Sequence, residues 1–327
     1  MKINDRKFVG PLSEVMRNFI SYKHAQGLKY DREEWDLVLF SEFIVESGLT
    51  KPYLPKNIVN EWCKQRNHEK KTTCLHRISG VKQFAKYMFE CGYECHIPAF
   101  PGRTASPDFT PYIFNQNELK AIFAVSDAVK RRSNPTLRNV MPILLRILYG
   151  CGLRISEVVN LKYEDVDLVN GIITIKNTKN NKNRLVPMSP SLTKVCNQYV
   201  EKRNSRHIEQ DYFFHNLEHK PYQVDRCYRL FREILWASGI PHGGRGKGPR
   251  LHDFRHTFAV ESLRLQVTKN IDLYALLPIL SEYLGHDNLR TTEKYIRLTE
   301  AMFPELISSI SIVSAFVIPE VPDEIND

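Results

Sequence analysis

The chain has 327 residues, 42% of them hydrophobic and 25% charged. That is the composition of a soluble globular protein, too long for one ordinary core and suited to two domains. The formal net charge of +9 favours a polyanionic partner, nucleic acid first.

Residues 11 to about 98 read as a helical domain. Leu12, Val15, Met16 and Phe19 recur at helical spacing, and Gly27 ends that run. Trp35, Val38, Leu39 and Phe43 predict a second helix stopped at Gly48. Ile58 to Lys64 predicts a third. Ile78, Val81, Ala85, Met88 and Phe89 predict a fourth, stopped at Gly92. Its polar side would carry Arg77, Lys82 and Lys86, a face able to follow a phosphate backbone or simply to meet solvent. Pro98, Pro101, Pro107 and Pro111, with Gly102, Thr104 and Ser106, make a segment that cannot continue a helix, and a linker is expected over 101–114.

A second domain is expected over 115–305. Asn115 with Glu118 predicts a reciprocal helix cap before Leu119, Ile122 and Phe123. Gly171 to Lys176 and Arg184 to Pro187 are short β-type runs. Asn180-Asn181 between them predicts a hairpin turn, because asparagine tolerates left-handed backbone angles. Helices resume from Leu192, and Gly243 to Gly248 forms a basic glycine-rich loop holding Arg245 and Lys247. The predicted class is mainly α with a small β-sheet, α+β.

Other features narrow the class. Seven scattered cysteines read as reduced cytoplasmic thiols rather than a disulfide framework. Cys91, Cys95 and His96 lack a second ligand pair, so no metal site is expected there. Met1 to Lys7 lacks the apolar run of a secretory signal, and Leu306 to Ile318 is too short and serine-broken to span a bilayer. The acidic strip Pro319 to Asp327 makes the preceding chain more basic than the total.

Four segments carry groups suited to metal-free cleavage of a DNA phosphodiester. The phosphorane-like transition state gathers negative charge on its non-bridging oxygens, which a planar, permanently charged guanidinium meets two at a time. A nucleophile must attack in line and a donor must protonate the leaving oxygen. Tyr149 to Glu157 places Arg154 just after a glycine turn, opening a helix to Leu161. Lys179 sits at the hairpin tip. Leu251 to His256 places His252 and Arg255 on one helix face. Leu284-Gly285-His286 precedes Tyr295 by nine positions from the histidine.

This combination, over roughly Asn115 to Thr299, resembles the tyrosine recombinase or phage integrase family, which includes Cre, the Xer recombinases and transposon integrases. The first domain resembles that family's SAM-like helical core-binding domain in size and pattern. The resemblance implies that Arg154 and Arg255 clamp the scissile phosphate, and that His252 contacts it and assists proton transfer at the nucleophile. It implies Lys179 as acid toward the 5′ leaving oxygen, with Lys182 and Lys176 as alternatives. His286 would hold the phosphate from the other side, and Tyr295 would form a 3′-phosphotyrosyl bond. Glu157 would orient a basic group, and His256 would support the site or pack in the core. Arg77, Lys82, Lys86, Lys182, Arg245 and Lys247 are expected DNA contacts.

The resemblance further implies no cofactor and no metal. Its expected partners are double-stranded recombination sites, three further copies in a synaptic tetramer, and a directionality factor. Residues 306–327 would dock on a neighbouring protomer or on their own domain. With no room expected for a separate arm-binding domain before Pro11, a short recombination site is favoured. A mobile-element integrase is the preferred role over chromosome-dimer resolution. Three rivals remain. His252 and His256 superficially resemble a zinc-protease helix, but the acid between them is misplaced and Arg255 would repel a metal. A DNA-binding protein without chemistry would be expected to lack the tyrosine or an arginine. A type IB topoisomerase would share the chemistry but not the Leu-Gly-His box.

Overall fold

The computed structural model describes residues 7–99, 110–128, 135–176, 183–204, 212–244, 248–269, 271, 273–286 and 288–302. The chain divides into two compact units, Met1–Phe109 and Thr110–Asp327.

The first unit is built from α1 (Ser13–Ala25), α2 (Asp31–Glu46), α3 (Lys56–Cys63) and α4 (Lys71–Glu90). Gly27, Gly48 and Gly92, each with positive φ, follow α1, α2 and α4 at the expected stops. The apolar stripes meet in one core of Leu12, Met16, Phe19, Leu37, Phe40, Ile44, Val59, Trp62, Val81, Phe84 and Met88. Phe89, grouped by spacing with the α4 stripe, instead stands 66% exposed.

Arg77 corrects the sequence reading. It lies 4% exposed rather than on a phosphate-facing surface. Its guanidinium donates to the carbonyls of Trp62 and, at 2.9 Å, Lys64, and pairs with Glu69 at 2.9 Å. The same guanidinium lies over the Trp62 ring. A buried arginine needs such a full set of acceptors, and here it ties α4 to the segment after α3. Of its expected companions on α4, Lys86 is exposed and Lys82 half-buried.

The second unit runs α5 (Gln116–Ala128), α6 (Pro135–Cys151), α7 (Ile155–Val159), β1 (Val166–Asp167), β2 (Ile172–Ile175), β3 (Arg184–Pro187), α8 (Pro190–Asn204), α9 (Val224–Ala237), α10 (Asp253–Val267), α11 (Leu273–Leu284) and α12 (Leu289–Met302). Asn115 and Glu118 cap α5 reciprocally, each side chain accepting the other's backbone N–H at 2.9 Å. Phe114 is buried in this unit's core and its N–H donates to Thr257 Oγ1, so the linker expected to run to residue 114 ends before it.

The strands form an antiparallel sheet in the order β1-β2-β3, with Ile173 opposite both Val166 and Val186 and Ile175 opposite Arg184. Helix α6, apolar on most of its surface, is the axis of the core through Leu144, Leu145, Ile147 and Leu148, against Phe213, Phe231 and Phe254. A second cluster joins Ala259, Val260 and Leu263 of α10 to Leu277, Leu280 and Leu284 of α11 and to Tyr295 and Ile296 of α12. That packing brings the starts of α7, α10 and α12 to the C-terminal end of α11. Among the described residues no helix is long and apolar enough to cross a membrane.

Candidate active site

Two guanidinium groups meet at the end of one helix. After Leu284 the chain turns through Gly285 at φ 65°, and the N–H groups of Gly285 and His286 turn back to Glu282 and Ser281. A side chain would resist this left-handed angle, and a Cβ would fall 2.9 Å from Arg184 Nη1. The turn frees two successive carbonyls. Arg255 Nη2 donates to Leu284 O at 2.6 Å and Arg154 Nη2 to Gly285 O at 2.9 Å. Arg255 Nη1 also donates to Gly152 O at 2.9 Å, just past the end of α6. Both cations thus sit where helix C-termini present unpaired carbonyls and negative potential.

Arg154 precedes the short helix α7, which ends at Val159 rather than running to Leu161. Glu157 accepts the Arg154 backbone N–H at 2.9 Å and Arg154 Nη1 at 2.8 Å. Arg184 grips the other side of that carboxylate, Nη1 to Oε1 at 3.1 Å and Nη2 to Oε2 at 2.8 Å, while its Nε donates to Tyr283 O. Burial pushes the Glu157 carboxyl up, but Arg184 and Arg154 outweigh it and hold the group below the ordinary glutamate range. One carboxylate therefore serves two arginines. Arg255 has no salt-bridge partner among the described residues, and the site carries surplus positive charge suited to an anion.

Arg184 was read from sequence only as the start of a strand. A signal was present: Arg184 and Val186 share one strand face, so an arginine stood in an inward register and required a buried partner.

Tyr295, on the second turn of α12, is 4% exposed. Its hydroxyl lies 2.8 Å from His256 Nδ1 and within hydrogen-bonding range of Arg255. Burial pushes the phenol up, and the Arg255 and Arg154 charges pull against it without cancelling it. Tyr295 is thus protonated in the free protein at neutral pH. His252 precedes α10, and its ring meets His256 edge to face with centroids 4.7 Å apart. His286 Nδ1 lies 2.9 Å from Thr292 Oγ1, and its ring stacks near Tyr295 at 6.2 Å. Burial, then the neighbouring cations, lower His252 to about 4 and His286 to about 3. For His256, burial, then His252 and the neighbouring arginines, lower it to about 3. All three are neutral near pH 7. Burial and Arg154 likewise lower Arg255 to about 10, still charged.

The structure therefore brings together Arg154, Glu157, His252, Arg255, His256, His286 and Tyr295. Sequence reasoning left His256 as a supporting or core residue, yet His256 touches the Tyr295 hydroxyl. Among the described residues no group of three or more His, Cys, Asp or Glu side chains that could hold a metal ion is present. Lys176 is engaged by Asp165 at 2.7 Å and Glu164 at 3.2 Å. Lys179, Lys182, Arg245, Lys247 and residues 306–327 lie outside the described residues.

The family model of the phage integrases matches residues 113–302. An integrase/recombinase of Sinorhizobium fredii is 28% identical over 291 residues, covering 86% of this chain and 91% of its own length. The tyrosine recombinase XerC of Chlamydia caviae is 29% identical over 243 residues, covering 72% of this chain and 70% of its own. Among solved structures, the XerH site-specific recombinase in a post-cleavage complex with its difH substrate matches with a TM-score of 0.63 and 18% identity, over 88% of this chain and 79% of that one. At that identity the structural likeness shows a common fold.

Proposed function

The chain belongs to the phage integrase family, the tyrosine recombinases, which cleave and rejoin DNA through a tyrosine-linked intermediate, and from that premise we propose how this chain's residues carry out the reaction. Arg154 and Arg255 clamp the non-bridging oxygens of the scissile phosphate. Tyr295 attacks the phosphorus and holds the 3′ end as a phosphotyrosyl ester, so the bond energy is kept and rejoining needs no ATP. His252 and His286 contact the phosphate from either side, Lys179 protonates the 5′ leaving oxygen, and Glu157 orients Arg154. The observation that carries this reading is the pair of guanidiniums on successive carbonyls, Leu284 and Gly285, with the Tyr295 hydroxyl within reach of Arg255. A phosphate entering the site exchanges neutral carbonyl partners for charged oxygens, which strengthens both contacts.

Both units contribute DNA contacts, largely salt-sensitive ones to phosphates. Four protomers on two sites form the working assembly. A mobile-element integrase is the favoured role over chromosome-dimer resolution. The test is a nicked suicide substrate carrying the attachment sequence from DNA flanking the gene. A covalent 3′ adduct should form with the native chain and vanish in Tyr295→Phe while DNA binding persists. An adduct that survives Tyr295→Phe overturns the assignment.

A further inference from the structure

The hydroxyl of the nucleophile stands beside a histidine and an arginine, and only the histidine can accept a proton. A phenol has one proton to give and oxygen lone pairs to share. Arg255 is a donor only, so although its charge acts on Tyr295 it cannot accept the phenolic proton. His256 Nδ1, at 2.8 Å, is placed to accept it. The ring is then neutral with its own proton on Nε2. His252 instead presents its ring to His256, edge to face.

We propose that His256 is the general base for Tyr295, taking the phenolic proton at Nδ1 as the oxygen attacks phosphorus. This rests on Tyr295 being the nucleophile. The Oη–H bond breaks as the Oη–P bond forms, the proton passes to His256, and the P–O5′ bond breaks with its oxygen protonated by the acid on the hairpin. Rejoining runs the transfer backwards: the incoming 5′ hydroxyl attacks, and His256 returns its proton to the departing Tyr295 oxygen. His252 is thereby released to serve the phosphate. The arrangement comes from α10 itself. Arg255 and His256 are consecutive, so one stretch of backbone fixes both the donor and the acceptor on the same oxygen. The charged and titratable groups facing His256 are His252, Arg250 and Arg255 from its own segment, His286 from the turn after α11, and Tyr295 from α12. Burial first, then His252, Arg250, Arg255 and His286, keep the ring unprotonated and free to accept.

Single-turnover cleavage of the suicide substrate tests the assignment with two variants. In His256→Asn the side-chain oxygen can accept the Tyr295 hydrogen bond but cannot take the proton. In His256→Ala both abilities are gone. Each should lower the rate of adduct formation about 100-fold, the usual size of a general-base contribution, with DNA affinity unchanged. In His256→Ala the rate should rise about tenfold per pH unit between pH 7 and 9, because Tyr295 must then ionise unaided. Added imidazole should restore part of it. Recovery by His256→Asn to within threefold of the native rate would show a hydrogen bond that merely positions the ring, and would overturn the proposal. So would a His256→Ala loss that keeps the native pH profile and ignores imidazole. The Tyr295→Phe control separates the readings: an adduct persisting there refutes the nucleophile, whereas its loss beside native-like His256 variants refutes only the base.

Discussion

Replacing Glu157 by glutamine probes the ion network beneath the two site arginines. The carboxylate makes four hydrogen bonds: Oε1 to Arg154 Nη1 and Arg184 Nη1, Oε2 to Arg184 Nη2 and the Arg154 backbone N–H. A glutamine oxygen can keep one pair. Its amide nitrogen then points hydrogens at two donors, whichever way the amide is turned. Each lost bond to a charged donor costs about 1.5–3 kcal/mol, and Arg184, 5% exposed at its side chain, is left without a counter-charge. The sum agrees with the roughly 3–5 kcal/mol for breaking a buried ion pair from one side. For a unit of this size that lowers Tm by roughly 6–20 °C, measurable by calorimetry on the full chain at pH 7.5. The folded carboxyl lies below its unfolded value, so its stabilisation is complete above about pH 4.3 and is lost as pH falls through the lower folded value. The gap between native and variant should therefore close in acid. A variant within 1 kcal/mol of native at pH 7.5, or a gap that does not narrow as the pH is lowered below about 4.3, would refute the reasoning.

Three further outcomes follow from the same geometry. Arg77→Met should destabilise the helical unit by about 3 kcal/mol in urea unfolding, because the largely buried Glu69 loses its ion-pair partner and keeps the Arg66 backbone N–H, whereas Lys86→Ala should leave stability unchanged and reduce the salt dependence of DNA binding by about 0.9 in log–log slope if Lys86 meets a phosphate. An unchanged slope removes Lys86 from the interface. Gly152→Ala places a Cβ 2.5 Å from Phe258 Cδ1 at φ 59° and should cost about 1–3 kcal/mol or more, read from the denaturant midpoint. His252, His256 and His286 are held neutral below their unfolded value near 6.5, so the stability they confer is complete above that pH and falls towards pH 4 by about 1.4 kcal/mol per unit for each. Urea unfolding at pH 7.5, 5.5 and 4.5 should show this slope, and His252→Asn should flatten it.

Much of the local structure was legible in the sequence because it is decided over a few residues. The stops at Gly27, Gly48 and Gly92, the Asn115–Glu118 cap and the glycine turn before Arg154 each depend on backbone angles and side chains within one helical turn. Arg154, Arg255 and Tyr295 were singled out because their segments together resemble the family's, and the structure places the three side chains around the end of α11. Three features needed the tertiary structure. Arg77 shares the periodicity of solvent-facing lysines, and only the approach of Trp62 and Glu69 makes its position an interior one. Arg184 finds Glu157 across 27 residues, and His256 finds Tyr295 across 39. A side chain's spacing tells which face of its own element it occupies. Whether that face meets water, a carboxylate or a phenol is decided by the element packed against it, and burial then turns a polar residue without a partner into a cost that the fold must satisfy.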